Sequence, residues 1–193
     1  MMAATNTLIL LLSTALLLFA SPASSFGCPP PERLRRLLQA TDSGDEPIIL
    51  LPCCYDGLTA RLVGLSGFNA TFMTGFGVSG ANGYPDTQLV SFNEMMSATN
   101  SVAEGLSSAA LELSKYGEED SDGDPPIAIP CIADGDTGYG NAINVKRTVF
   151  GYARSGMAGM MIEDQVSPKR CGHVAGKSVV PFDDAVQRVQ AAC

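Results

Sequence analysis

Apolar positions along the chain fall into short runs that alternate with longer, periodically apolar stretches. Four runs have the length and composition of buried strands: Ile48-Ile49-Leu50-Leu51, Ala70-Thr71-Phe72-Met73, Ile127-Ala128-Ile129-Pro130-Cys131-Ile132-Ala133 and Gly159-Met160-Met161-Ile162. Pro130 lies inside the third, where it removes a ladder donor and predicts an irregularity. Each run is followed by a stretch with Leu, Val, Met and Ala at helical spacing: Leu58 to Leu65, Glu94 to Leu113, Asn144 to Ala153 and Phe182 to Ala192. Strand then helix, four times over with short links, predicts an α/β fold of parallel βαβ units with right-handed crossovers. Polar residues collect after the strands: Asp56, Thr74-Gly75-Phe76-Gly77, Asp134-Gly135-Asp136 and Glu163-Asp164-Gln165. A parallel α/β fold places its chemistry on that rim.

The N-terminal segment has a different character. From Leu8 to Phe19 it is apolar except for Ser13 and Thr14, and small residues follow to Ser25, so residues 1–25 read as a signal or targeting peptide. Phe26 followed by Arg33, Arg35 and Arg36 also suits a presequence for a plastid, so entry into the secretory pathway or an organelle is expected. Residues 26–47 read as a linker and an N-terminal helix, and residues 48–193 as the strand–helix domain.

Composition narrows the functions. The 193 residues are 46% hydrophobic, 17% charged and carry a net charge of -8, which suits one globular domain and leaves no basic stripe for nucleic acid. Gly117 to Asp124 is an acidic stretch that reads as a solvated loop. The 6 cysteines lack the paired spacing of a disulfide scaffold, and a single histidine with no CxxC argues against zinc. Cys53 and Cys54 read as small buried residues.

Three motifs carry candidate chemistry. Gly75-Phe76-Gly77-Val78-Ser79-Gly80 matches GxGxxG, with Glu94 downstream, but Asn82-Gly83-Tyr84-Pro85 breaks any helix that a dinucleotide site needs there. Bare backbone amides meeting an anion remain a use for this loop. Asp134 and Asp136 are two apart at a strand end, so in an extended chain both point the same way. With Asp56 and Glu163 they form a set of oxygen ligands suited to Mg²⁺ or Mn²⁺, while Asp-Gly-Asp-Thr-Gly is equally good turn chemistry, and spacing alone leaves both open. Lys169-Arg170-Cys171-Gly172-His173 puts three basic side chains around one thiol, an arrangement expected to lower its pKa and attract carboxylates.

The strings Pro52-Cys53-Cys54-Tyr55-Asp56, DGDTGYGN from Asp134, IEDQ from Ile162 and KRCGH from Lys169 together resemble the isocitrate lyase and phosphoenolpyruvate mutase superfamily, from about Ile48 to Cys193. The resemblance implies a (β/α)8 barrel of the TIM type, with Mg²⁺ (or Mn²⁺) at its C-terminal rim and a small 2-oxo or 2-hydroxy acid as substrate. It implies that Asp134 binds the metal directly and that Asp56, Asp136 and Glu163 hold it through waters. Tyr55, Thr74, Gly75 and Phe76 match the substrate-binding positions. Cys171, among Lys169, Arg170 and His173, matches the acid that protonates the departing enolate, which favours a carbon–carbon lyase over the alternative, a carboxyphosphonoenolpyruvate mutase. A full barrel takes about 250 residues, so this stretch amounts to its N-terminal half, about four βα units, with two apolar sheet edges. A catalytically incompetent fragment is the competing expectation, and partners are a homo-oligomeric copy or a complementing chain.

Overall fold

The computed structural model describes residues 14–18, 28–44, 48–117 and 127–193. The expected cleavage site after Ser25 and most of the acidic stretch after Gly117 lie outside these residues.

A five-stranded sheet has the order β1-β5-β4-β3-β2, with β1 Thr14–Leu18, β2 Cys53–Cys54, β3 Thr71–Met73, β4 Cys131–Asp134 and β5 Gly159–Glu163. Strands β2 to β5 are parallel and in sequence order, so each β–α–β step moves one place along the sheet. The intervening helices are α2 Gly57–Leu65, α3 Gly75–Ala81 and α4 Phe92–Lys115, and α5 Ala142–Arg154, with α6 Phe182–Ala192 after β5 and α1 Pro30–Ser43 ahead of β2. This is the α/β architecture expected, four parallel strand–helix units that amount to half of an eight-stranded barrel. No helix among the described residues is long and apolar enough to cross a membrane.

The strand ends differ from expectation for identifiable reasons. Ile48 to Leu51 is not a strand: on that side of the sheet Phe72 and Met73 of β3 pair with Cys53 and Cys54, while Ile48 and Leu50 remain 80% and 64% exposed. The third strand begins at Cys131, directly after Pro130, which cannot donate to the ladder but whose carbonyl accepts from Thr71 N at 3.0 Å. Nor are both sheet edges open. Thr14–Leu18, inside the apolar N-terminal segment, runs antiparallel along β5, from Thr14 opposite Glu163 to Leu18 opposite Gly159. Only Cys54 of the cysteine pair is buried, because alternate residues of a strand face opposite ways.

Local chemistry sets the helix starts. Asp56, Ser91 and Asn141 each close a capping box at α2, α4 and α5, each contributing about 1 kcal/mol. The main core lies between sheet and helices, where Met73, Met95, Val102, Val145, Met157 and Met160 are buried. A smaller cluster of Leu34, Ile132, Ala158 and Phe72 packs α1 against the sheet. Helices α2 and α4 approach so closely that a Cβ on Gly105 would sit 2.3 Å from the Gly57 carbonyl oxygen.

Candidate metal centre and active site

The C-terminal ends of β4 and β5 carry the site. Ligand oxygens of Asp134, Asp136 and Glu163 lie within 4.8 Å of one another, with the two aspartates buried. Asp134 is held rigidly: Oδ2 accepts from Gly75 N at 3.1 Å, Oδ1 accepts from Asp136 N at 2.9 Å, and its carbonyl accepts from the buried Tyr152 hydroxyl at 2.8 Å. Gly75 is required here, since a Cβ would fall 2.8 Å from Asp134 Oδ2. Glu163 N donates to Asp136 O at 2.7 Å, which ties the two strand ends together.

The expected fourth carboxylate, Asp56, is not in this group. Its Oδ1 accepts from Thr59 N and Thr59 Oγ1, both at 2.7 Å, and caps α2. In its place the structure brings in Asp86, from the loop after α3, through Lys169. The Lys169 side chain is 5% exposed, and its Nζ lies 2.7 Å from Asp86, 3.0 Å from Asp136 and 3.9 Å from Glu163. Sequence reading passed over Asp86 because Tyr84-Pro85-Asp86-Thr87 looks like ordinary turn chemistry.

Burial dominates the electrostatics. It pushes the Asp136 carboxyl up to about 7, with the neighbouring Asp134 charge adding to the rise and Lys169 opposing it. Burial raises Asp134 and Glu163 as well. Burial also disfavours the Lys169 ammonium, but the Asp136, Asp86 and Asp134 carboxylates outweigh that effect and raise its pKa. One detail bears on cation binding: the buried Asp136 Oδ1 faces the Lys169 ammonium 3.0 Å away. An all-oxygen donor set of three converging carboxylates fits a hard divalent cation.

The Lys169 to His173 segment corrects a further expectation. Lys169 turns into the carboxylates and Arg170 Nη1 donates to Ala175 O at 3.3 Å, so neither cation surrounds the thiol. Opposite charges meet inside, where their attraction is least screened. Cys171 has only His173 of the expected cations beside it, its Sγ 3.7 Å from Nδ1. The half-buried thiol sits on an outward loop whose base is tied down by Gln165: Oε1 accepts from Arg170 N and Nε2 donates to Arg170 O, both at 3.1 Å, and Nε2 also donates to Glu163 Oε2. Arg188 of α6 braces the same corner by donating to Glu163 O and, at 3.2 Å, to Gln165 O.

Among the remaining candidates, Thr74 stands at the start of α3 without a side-chain capping bond, and Phe76 is 65% exposed on its first turn. The GxGxxG stretch does open a helix, contrary to expectation, and it ends at Ala81, before the Asn82-Gly83 breaker. The Gly75 amide is taken by Asp134 and Glu94 by the capping box at Ser91, so neither serves a dinucleotide. The Tyr55 ring packs on Gly77, where a Cβ would lie 2.7 Å from the ring Cδ1.

Residues 37–193 match the family model of phosphoenolpyruvate phosphomutase. The chain is 35% identical over 161 residues to the 2,3-dimethylmalate lyase of Eubacterium barkeri, covering 83% of this chain and 47% of that enzyme. It is also 35% identical over 161 residues to the chloroplastic carboxyvinyl-carboxyphosphonate phosphorylmutase of Arabidopsis thaliana, covering 83% of this chain and 40% of the relative. Among solved structures, oxaloacetate acetylhydrolase in complex with the inhibitor 3,3-difluorooxalacetate superposes with a TM-score of 0.68 at 38% identity, over 84% of this chain and 48% of that one. The chain thus spans less than half the length of each. Rim carboxylates on a parallel strand–helix half barrel, the KRCGH loop and these matches agree, and the chain belongs to the phosphoenolpyruvate mutase family of the isocitrate lyase superfamily.

Proposed function

We propose that this chain carries the metal-binding half of a divalent-cation-dependent lyase that cleaves a C–C bond in a small 2-hydroxy di- or tricarboxylic acid. The observation that carries the reading is the convergence of Asp134, Asp136 and Glu163, the two aspartates buried, at the rim from which the KRCGH loop departs. In the reaction the substrate hydroxyl loses its proton, the C–C bond breaks to leave a carbonyl, and the bonding pair passes into the adjacent carboxylate as an enolate. A proton then returns at carbon. Asp134, Asp136 and Glu163 would hold Mg²⁺ or Mn²⁺, which would supply positive charge to stabilise developing enolate charge. Asp134, fixed by three hydrogen bonds, sets the position of the donor set. Lys169 balances the carboxylate charge and presents an ammonium at the same rim. Thr74, Gly75, Phe76 and Tyr55 are assigned to the substrate carboxylate on the strength of the family resemblance. Cys171, with His173 beside it, is the proton donor to carbon, and closure of its loop brings the thiol over the rim.

The apolar stretch from Leu8 to Phe19 supports delivery into the secretory pathway or an organelle. Release of a 2-oxo acid or ketone from a panel of alkylmalates and alkylisocitrates, with and without Mg²⁺, tests the reaction. Cation-dependent release that Cys171→Ser lowers by at least about 10²-fold, with Mg²⁺ affinity unchanged, is the expected result. Turnover confined to phosphonates moves the assignment to a phosphonomutase, and cation binding without any turnover identifies a catalytically incompetent fragment.

A further inference from the structure

Three non-glycine residues among those described have a left-handed backbone: Gln88 at φ 59°, Asp136 at φ 45° and Tyr139 at φ 60°. Asp136 belongs to the carboxylate trio, and Tyr139 follows it in the same loop, its buried hydroxyl without a hydrogen-bond partner. Gln88 lies in another loop, beyond α3, and is the position for which sequence reading offered no role. A side chain in this backbone region is unfavourable and glycine would relieve it, so what the position retains is the amide.

Three of the four hydrogen-bonding positions of that amide are engaged. Nε2 donates to Thr137 Oγ1 at 2.6 Å, while Oε1 accepts from Lys169 N at 2.9 Å and from Ser167 Oγ at 3.0 Å. The Lys169 N–H can only donate, which fixes the orientation of the amide. Two residues earlier, Asp86 holds the other end of the same lysine, its Oδ1 2.7 Å from Nζ. One turn, residues 86–88, therefore grips Lys169 at backbone and ammonium together, and the Gln88 amide ties that grip to the loop carrying Asp136 through Thr137, which is 1% exposed.

We infer that Gln88 is a positioning residue: it fixes the Lys169 backbone so that the ammonium stays among Asp86, Asp136 and Glu163, and it joins the DGDTG loop to the base of the KRCGH loop. The inference rests on the proposed function only in treating Lys169 as a working group. Its test uses neither turnover nor added cation, so failure of the lyase reading leaves the result interpretable.

The experiment is amide hydrogen exchange on the full chain, together with the ¹⁵N-resolved ammonium signal of Lys169. Gln88→Gly keeps the backbone conformation and removes the amide. Gln88→Asn, which tolerates a left-handed backbone but is one methylene too short to reach, serves if the glycine variant does not fold. Either variant is expected to speed exchange at the Lys169 amide about tenfold, the loss of one hydrogen bond, and to broaden its ammonium signal, with the strand amides of Ala133 and Met160 unchanged. Gln88→Glu retains the acceptor oxygen and is expected to keep the Lys169 amide protected. Unchanged exchange at Lys169 in the glycine or asparagine variant overturns the inference. So does equal acceleration in the strands, which makes the residue structural only, or a Gln88→Glu variant as unprotected as the other two.

Discussion

Asp136 shows how much of the site's behaviour is a matter of where one carboxyl is placed. Its folded value of about 7, against an ordinary 3.8, arises first from burial and then from the Asp134 charge. A carboxyl whose pKa is raised on folding binds its proton more tightly in the native state. Its contribution to stability is full below pH about 4 and is lost as pH rises through about 7. In the absence of divalent cation, the urea midpoint is therefore expected to fall between those limits, and Asp136→Asn, which mimics the protonated form, is expected to flatten the decline. A wild-type profile already flat over that window refutes the assignment. The same residue shows a limit of reading by sequence. That Asp134, Asp136 and Glu163 gather at one rim was legible because each ends or follows an apolar run, while spacing left open whether the aspartates serve a cation or a turn. Asp56 has the same placement yet is used by the capping box, and the Asp-x-x-Thr spacing to Thr59 was the signal that distinguishes it. Asp86 carried no such signal, because its partner Lys169 is remote in sequence.

At the scale of elements, the rim depends on how closely α2 and α4 pack behind the sheet. Gly105 has no room for a side chain: its Cβ would meet the Gly57 carbonyl oxygen at 2.3 Å, an atom of backbone that cannot swing aside. Gly105→Ala is expected to destabilise the fold by about 1–3 kcal/mol, the cost of overpacking. Gly80, exposed on α3 with nothing within 4 Å of a built Cβ, gives the opposite expectation. Gly80→Ala is expected to add about 0.4–1 kcal/mol, and urea denaturation of both variants reads the two signs side by side. Equal effects would mean that the helix contact does not govern the cost. Helix periodicity located every helix from α2 to α6 except α3, which is 7 residues long and too short to establish a period.

The whole molecule presents a parallel sheet whose β2 edge has no neighbour among the described residues, while β1 covers the other edge. Next to that open edge, Ile48 and Leu50 are 80% and 64% exposed, and Leu58 on α2 is 68% exposed. An open strand edge flanked by apolar side chains favours association. Sedimentation velocity over a range of concentrations is expected to show self-association of the chain, reduced by the paired substitution Ile48→Lys and Leu50→Lys. A monomer at every concentration, with a cooperative thermal transition, would remove this expectation.

The alternation of parallel strands and helices, the rim that gathers the carboxylates and the family were contained in the sequence, because period, strand-end position and contiguous motifs are local properties of the chain, whereas β1, the start of β2 and α3 were not. DGDTGYGN and KRCGH needed no partner to be recognised. Tertiary structure alone decided which groups meet. It placed Lys169 among acids drawn from two loops and the end of β5, left Cys171 with His173 for company, put Asp56 at a helix cap and made Gln88 a bridge between loops. The physical reason is that burial strengthens attraction between opposite charges and penalises unpaired polar groups, and burial is settled only when distant segments pack together.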